Sequence, residues 1–203
     1  MISKLLGACA LSYVIAKEGI SFVVVGDMAE IQNMAPANAV FDSINSMKKN
    51  AAKGSPEDFE FFITTGDNLY PLDEQEPTSS EFGALLNLFT TREAIKDIPV
   101  HPVRGNHDCY FNDMDAEIHL NATWDKWDMP ANFYHKTFVL DDLGSKFSIL
   151  ALDSCFYLCE TVQQDIEKYL PLLGQESLEL YYKKCEEGPE YVEWGNKQMA
   201  WIN

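Results

Sequence analysis

Runs of apolar residues that end in glycine and are followed at once by oxygen-bearing side chains divide the first half of this chain into three similar units. Ile20 to Val25 is unbroken and rich in β-branched residues, with no polar alternation, which predicts a strand covered on both faces. Phe59 to Thr65 predicts a second strand and Pro99 to Arg104 a third. Between the first two, Val40, Ile44, Met47 and Ala51 recur at helical spacing after Pro36, with Asp42, Lys48 and Lys49 turned away, and Gly54-Ser55-Pro56 ends the helix. Thr78-Ser79-Ser80-Glu81 reads as the start of another helix, whose buried stripe is Phe82, Leu85, Leu86 and Phe89. Strand, helix, strand, helix, strand implies an α/β fold with a mostly parallel sheet and helices on its faces.

The second half has a different rhythm. Asn112 to Asp128 is polar and helical or irregular, and it runs into Met129-Pro130. Tyr134 to Leu140 and Lys146 to Leu152 form a predicted hairpin across Asp141-Asp142-Leu143-Gly144-Ser145. Helical segments are expected over Thr161 to Leu173, Glu176 to Glu187 and Tyr191 to Asn203. No repeat or low-complexity tract interrupts them, and 203 residues with 46% apolar content suit one sizeable core.

Charge and cysteine use narrow the setting. With 15 basic against 32 acidic residues the net charge is −17, which disfavours nucleic acid and anionic membrane as partners. An anionic substrate could be held only if bound cations inverted the local sign. One lysine followed by about a dozen mostly apolar residues predicts a signal peptide over residues 1–16, cleaved after Ala16 to leave a domain over 17–203, with no stable membrane insertion once it is removed. Asn121-Ala122-Thr123 has the form of a glycosylation acceptor. Loss of the leader removes Cys9 and leaves Cys109, Cys155, Cys159 and Cys185, whose pairing, or persistence as buried thiols, the sequence leaves open.

The candidate chemistry lies at the three strand ends. Glycine lets the backbone turn sharply as it leaves a strand, so Gly26-Asp27, Gly66-Asp67-Asn68-Leu69-Tyr70 and Gly105-Asn106-His107-Asp108 would stand together at the carboxyl edge of the sheet. Hard cations take oxygen and imidazole ligands, and a carboxylate placed between two of them can bridge both. Asp67 is the natural bridge, with Asp27 and Tyr70 on one side and Asn106 on the other. Two metals about 3.5 to 4 Å apart can activate water and clamp a phosphoryl group for in-line attack. His107 is the candidate catalytic group, placed to bond the phosphate or assist the leaving alkoxide. Asn68 touches phosphate or caps the turn, and Asp108 is an acceptor behind the ligands.

These three blocks resemble the first three motif blocks of the calcineurin-like metallophosphoesterases. Ala29 stands where many members carry a histidine, and Tyr70 stands where purple acid phosphatases carry their iron-binding tyrosine. Trp127-Asp128-Met129-Pro130, Phe133-Tyr134, Leu152-Asp153-Ser154 and Gln198-Met199-Ala200-Trp201-Ile202 are similar in order to the small, mammalian-type purple acid phosphatases. The resemblance covers residues 20 to 203 and is weakest over 156–191. It implies an acid phosphatase acting on phosphate monoesters, whether small molecules or phosphoproteins, through iron(III) at Tyr70 beside divalent iron, zinc or manganese, in a secreted or lysosomal setting. It also implies that this chain is the N-terminal part of a two-sheet α/β sandwich, incomplete at the C-terminus. The family draws three further histidine ligands from blocks after the Gly105 block, one before a proline and two in Gly-His-x-His, and neither block follows Gly105 here. The expectation is a truncated domain with little activity of its own. Within the superfamily a phosphodiesterase stays open, whereas a serine/threonine phosphatase would need Gly-Asp-x-His at the first block. A secreted binding protein that keeps the fold without catalysis is the rival from another class.

Overall fold

The computed structural model describes residues 12–14, 20–73, 76–113, 115–140, 143–155 and 189–203. Most of the expected leader, the helices expected over 161–173 and 176–187, and Cys9, Cys159 and Cys185 lie outside these residues.

Three parallel strands carry the architecture. β2 (Phe22–Val25), β4 (Phe61–Thr64) and β6 (Val100–His101) lie side by side, and β1 (Ser12–Val14) adds to β2 antiparallel at the outer edge. Past the strand ends, the short strands β3 (Ala29–Glu30) and β5 (Leu69–Tyr70) pair in parallel as a separate ribbon. Helix α1 (Ala35–Asn50) connects β3 to β4, and helix α2 (Ser79–Thr90) connects β5 to β6. The hairpin of β7 (Tyr134–Val139) and β8 (Lys146–Ala151) follows, and α3 (Pro189–Ile202) is the last described element.

Alternation along the strands decides what covers each face of the sheet. Val23, Val25 and Phe62 point to the helices and meet Phe41 and Ile44 of α1 and Leu85 and Phe89 of α2. The Phe62 and Phe89 rings are 5.2 Å apart and Phe41 meets Phe89 edge-on at 4.8 Å. Phe22, Val24, Phe61 and Ile63 point the other way, into a second cluster with Ile149, Phe138 and Phe147 of the hairpin. There Phe61 stacks on Phe138 at 4.5 Å. One unbroken apolar run therefore serves two cores, which is why neither strand alternates in polarity.

The helix starts follow local chemistry. Thr78 caps α2 in a reciprocal pair, with Glu81 N–H donating to its hydroxyl and its own N–H donating to the Glu81 carboxylate at 2.7 Å. The same carboxylate accepts from Leu72 N–H at 2.7 Å, which ties the segment after Tyr70 to the helix. Arg92 joins the two helices, donating to Asp42, to the Asn38 side chain and to Leu88 O.

Some expectations need correction. The buried stripe of α1 is Ala37, Phe41 and Ile44, with Val40 and Met47 flanking it, and Ala51 is an extended residue beyond the helix end. Lys48 does not turn away: it bonds Asp58 and Phe59 O across the turn into β4. The third strand shrinks from Pro99–Arg104 to two residues, because Pro99 and Pro102 have no N–H to offer a ladder. The segment after Asn112 is built from tight turns, including a 3-10 turn at Ile118–Ala122. It buries Glu117, Leu120 and Trp127.

Candidate metal centre

β2 and β4 both end on glycine followed by aspartate, and the parallel ladder continues through them. Asp27 N–H donates to Gly66 O at 3.2 Å, Met28 N–H to Asp67 O at 3.1 Å and Ala29 N–H to Asn68 O at 3.1 Å. Both aspartates have left-handed backbones, Asp27 with φ of 52° and Asp67 with φ of 49°. Such conformations cost on the order of 1–3 kcal/mol each and persist where surrounding structure imposes them. Here they turn two carboxylates toward one point.

The turns stack more closely than side chains allow. Gly66 has φ of 97°, and a Cβ there would run into the backbone of Gly105. A Cβ on Gly105 would fall inside the Asp67 carboxylate and backbone N–H. Glycine is needed at both positions for the second and third blocks to approach each other.

At the focus, the Tyr70 hydroxyl lies 2.6 Å from Asp27 Oδ1 and 2.8 Å from Asp67 Oδ2. One phenolic proton is thus shared by two carboxylates. Burial, then the bonds to Asp27 and Asp67, push the Tyr70 pKa well above the usual tyrosine range. Asp67 Oδ1 accepts from His107 N–H at 2.9 Å, so the Asp67 carboxylate is bonded on both oxygens. The His107 ring sits 4.6 Å from that of Tyr70, half-buried. Asn106 lies half-buried between Gly105 and His107 in the same loop. Two carboxylates and a phenol meeting edge to edge are a donor set suited to a hard cation, which would replace the shared proton.

Behind the ligands, Asp108 holds the blocks together. Its carboxylate accepts from Gly105 N–H at 2.8 Å, Asn68 N–H at 3.1 Å and Leu69 N–H at 3.4 Å. Burial pushes its pKa up to about 7, and the charge on Asp67 adds to the rise. Asn68 is fully buried, and its side chain donates to Val103 O at 2.8 Å, across to the chain leading into the third block.

The remaining histidines take no part in the site. His101 is a buried strand residue edge-on to Phe61 and Phe138, its pKa lowered by burial against the pull of Asp128. His119 and His135 are exposed. Asn121 is exposed too, and its side-chain nitrogen, the atom a glycan would take, donates to Trp127 O at 3.0 Å.

Three features lie beyond what the motifs pointed to. Arg104 forms a buried ion pair with Asp153, and Cys109 is disulfide-bonded to Cys155. Both cysteines and Asp153 were visible in the sequence, but their partners were not. A second group of metal-type side chains, Cys109, Asp153 and Cys155, is this same cluster, and its two sulfurs are bonded to each other. Glu117 had no sequence signal at all. It is buried beside Arg104 and the Asn68 side chain, which makes no more than a loose bond to it, and burial, then the charge on Asp108, raise its pKa well above the usual range.

A mostly parallel sheet thus gathers an Asp-Asp-Tyr cluster at its carboxyl edge, and a family model gives the class of protein to which it belongs. The calcineurin-like phosphoesterase model matches residues 20–192, and the chain belongs to that family. Among curated relatives, human tartrate-resistant acid phosphatase type 5 (Homo sapiens) is 24% identical over 139 residues, 68% of this chain and 42% of that protein. The mouse (Mus musculus) protein of the same name is 25% identical over 133 residues, 66% of this chain and 40% of its own length. The chain therefore spans about two fifths of the length of the curated relatives it matches. Among the described residues no helix is long and apolar enough to cross a membrane.

Gly105→Ala is expected to displace the Asp67 carboxylate and weaken metal binding about 10- to 100-fold while circular dichroism stays unchanged. Metal titration reads the first quantity, and unaltered affinity would contradict the close stacking. A second expectation concerns pH. Glu117 and Asp108 have folded pKa values above their unfolded ones, so the folded chain binds more protons than the unfolded chain and loses stability as pH rises, for Asp108 between about pH 4 and about pH 7 and for Glu117 from the ordinary glutamate range upward. His101, held neutral by burial, acts in the opposite sense below about pH 6.5. Comparison of wild type with Glu117→Gln, which cannot ionise, isolates the carboxyl: the variant should gain stability relative to wild type as pH rises above the ordinary glutamate range in urea melts. A constant difference would contradict the assignment.

Proposed function

We propose that this chain carries the oxygen-donor part of a binuclear metal centre in an acid phosphatase that hydrolyses phosphate monoesters. The observation that carries the reading is the convergence of Asp27 and Asp67 on the Tyr70 hydroxyl, each within hydrogen-bond distance of it. Asp27 and Tyr70 would hold iron(III), Asp67 would bridge, and Asn106 would hold a divalent iron, zinc or manganese ion. When bound, such a pair supplies Lewis-acid charge that activates water and neutralises phosphoryl oxygens.

The chain's own residues then have distinct tasks. The left-handed backbones of Asp27 and Asp67 orient the carboxylates, and Asp108 keeps the second and third blocks in register. His107, whose ring lies against that of Tyr70, would give a proton to the ester oxygen as it leaves. The similarity to tartrate-resistant acid phosphatases supports a phosphate monoester, from a small molecule or a phosphoprotein, as substrate. The Cys109–Cys155 bond fits an oxidising compartment, which favours a secreted or lysosomal protein; removal of a leader over residues 1–16 would take β1 with it and leave β2 as the edge of the sheet. With the net charge of −17, bound cations would give the site its attraction for phosphate.

Iron(III) added to the protein should produce a visible phenolate-to-metal absorption band that Tyr70→Phe abolishes and Tyr134→Phe leaves intact. A band that survives Tyr70→Phe, or iron bound without colour, would contradict the assignment of the phenol.

A further inference from the structure

The third block is fastened at both ends to one short segment after β8. Upstream, the buried Arg104 guanidinium pairs with Asp153 Oδ2. Downstream, Cys109 is bonded to Cys155, with Cα atoms 5.5 Å apart and both residues buried. The segment that receives them is itself held. Asp153 Oδ1 accepts from Cys155 N–H at 2.9 Å, and the Asp153 backbone makes two bonds with the Gln198 side chain of α3, at 2.8 and 3.0 Å. Between the two fastenings lie Gly105, Asn106, His107 and Asp108. Cys109 follows Asp108 directly, and its Sγ lies 3.1 Å from Gly105 O, so the sulfur packs on the turn that carries Asn106.

Asp27, Asp67 and Tyr70 are placed differently. They stand on the β2–β4 ladder and its continuation, whose backbone hydrogen bonds do not reach residues 153–155. The third block meets this half through Asp67 Oδ1, which accepts from His107 N–H, and through Asp108, which accepts from Asn68 and Leu69 N–H, whereas Asp67 Oδ2 faces Tyr70. The Tyr70 side thus keeps the ladder as a support of its own. We propose that the Cys109–Cys155 disulfide, with the Arg104–Asp153 pair, is a positioning clamp for Asn106 and His107 that sets the affinity of the divalent position and leaves the Tyr70 position unaffected. This inference rests on the metal-centre reading above.

The test uses the full chain loaded with iron(III) and titrated with Mn2+, comparing wild type with Cys109→Ser/Cys155→Ser and with Cys109→Val/Cys155→Ala, an apolar pair that fills the same buried space. The Tyr70 band reports the first position, and electron paramagnetic resonance of free Mn2+ reports the second. The expected result is an unchanged band in both variants with Mn2+ affinity reduced about tenfold or more. Unchanged Mn2+ affinity without the disulfide would overturn the clamp. So would loss of the band together with Mn2+ binding, or failure of both variants to fold, since either would make the bond a general stabilising element. Absence of both metals from the wild-type chain is a separate outcome, which overturns the centre itself and the clamp with it.

Discussion

Close backbone approach between successive strand-end turns is the constraint on which the site depends. Gly66 and Gly105 lie where no Cβ fits, so the second and third blocks press against each other until the Asp67 carboxylate occupies the space beside Gly105. With that approach in place, Asp27 and Asp67 both reach one phenol from left-handed backbones. The strain is local, and the sheet that imposes it is anchored by aromatic cores on both faces. Stability made by Phe62, Phe41 and Phe89 on one side and Phe61 and Phe138 on the other thus holds oxygen atoms in an arrangement that they would not adopt alone.

Beneath this surface lies a dry layer of ionisable groups. Asp108, Glu117, Arg104 and Asp153 are all buried, three carboxyls against one guanidinium. Burying several charges is costly unless they are paired or neutralised, and here both solutions occur. Asp153 is paired with Arg104, whereas Asp108 and Glu117 are pushed toward their neutral forms. Asp108 also spends its oxygens on three backbone N–H groups of the second and third blocks, so its chemistry is that of a brace. The ligand turns are fixed from below by hydrogen bonds and from the side by a disulfide, and their upper face is left to the phenol and carboxylates.

Much of this was legible in the sequence, for identifiable reasons. Glycine followed by aspartate after a buried run marks a strand-end turn, because few other residues permit it, and so Asp27, Asp67 and Tyr70 were found together. Hairpin alternation placed β7 and β8, and Thr78 with Glu81 announced the start of α2. What stayed hidden was pairing across long separations. Cys109 gives no sign that it meets Cys155 46 residues on, nor Arg104 that it meets Asp153. Asn68 looked like a ligand neighbour because it follows Asp67, yet its side chain turns inward to Val103 O. Glu117 sat in a polar stretch with no motif, and only packing reveals it as buried. In α1 the expected stripe holds at Ile44, with Val40 and Met47 packed at its margin, but it misses Ala37 and Phe41, because several registers of that helix offer apolar positions.

Anomalous diffraction from crystals of the protein grown with iron(III) and Mn2+ tests the central claim most directly. The account predicts one iron peak bounded by Asp27, Asp67 and Tyr70 and a manganese peak about 3.5–4 Å away on the Asn106 side. Metal peaks elsewhere on the molecule, with the Tyr70 hydroxyl still bonded to both carboxylates, would contradict it.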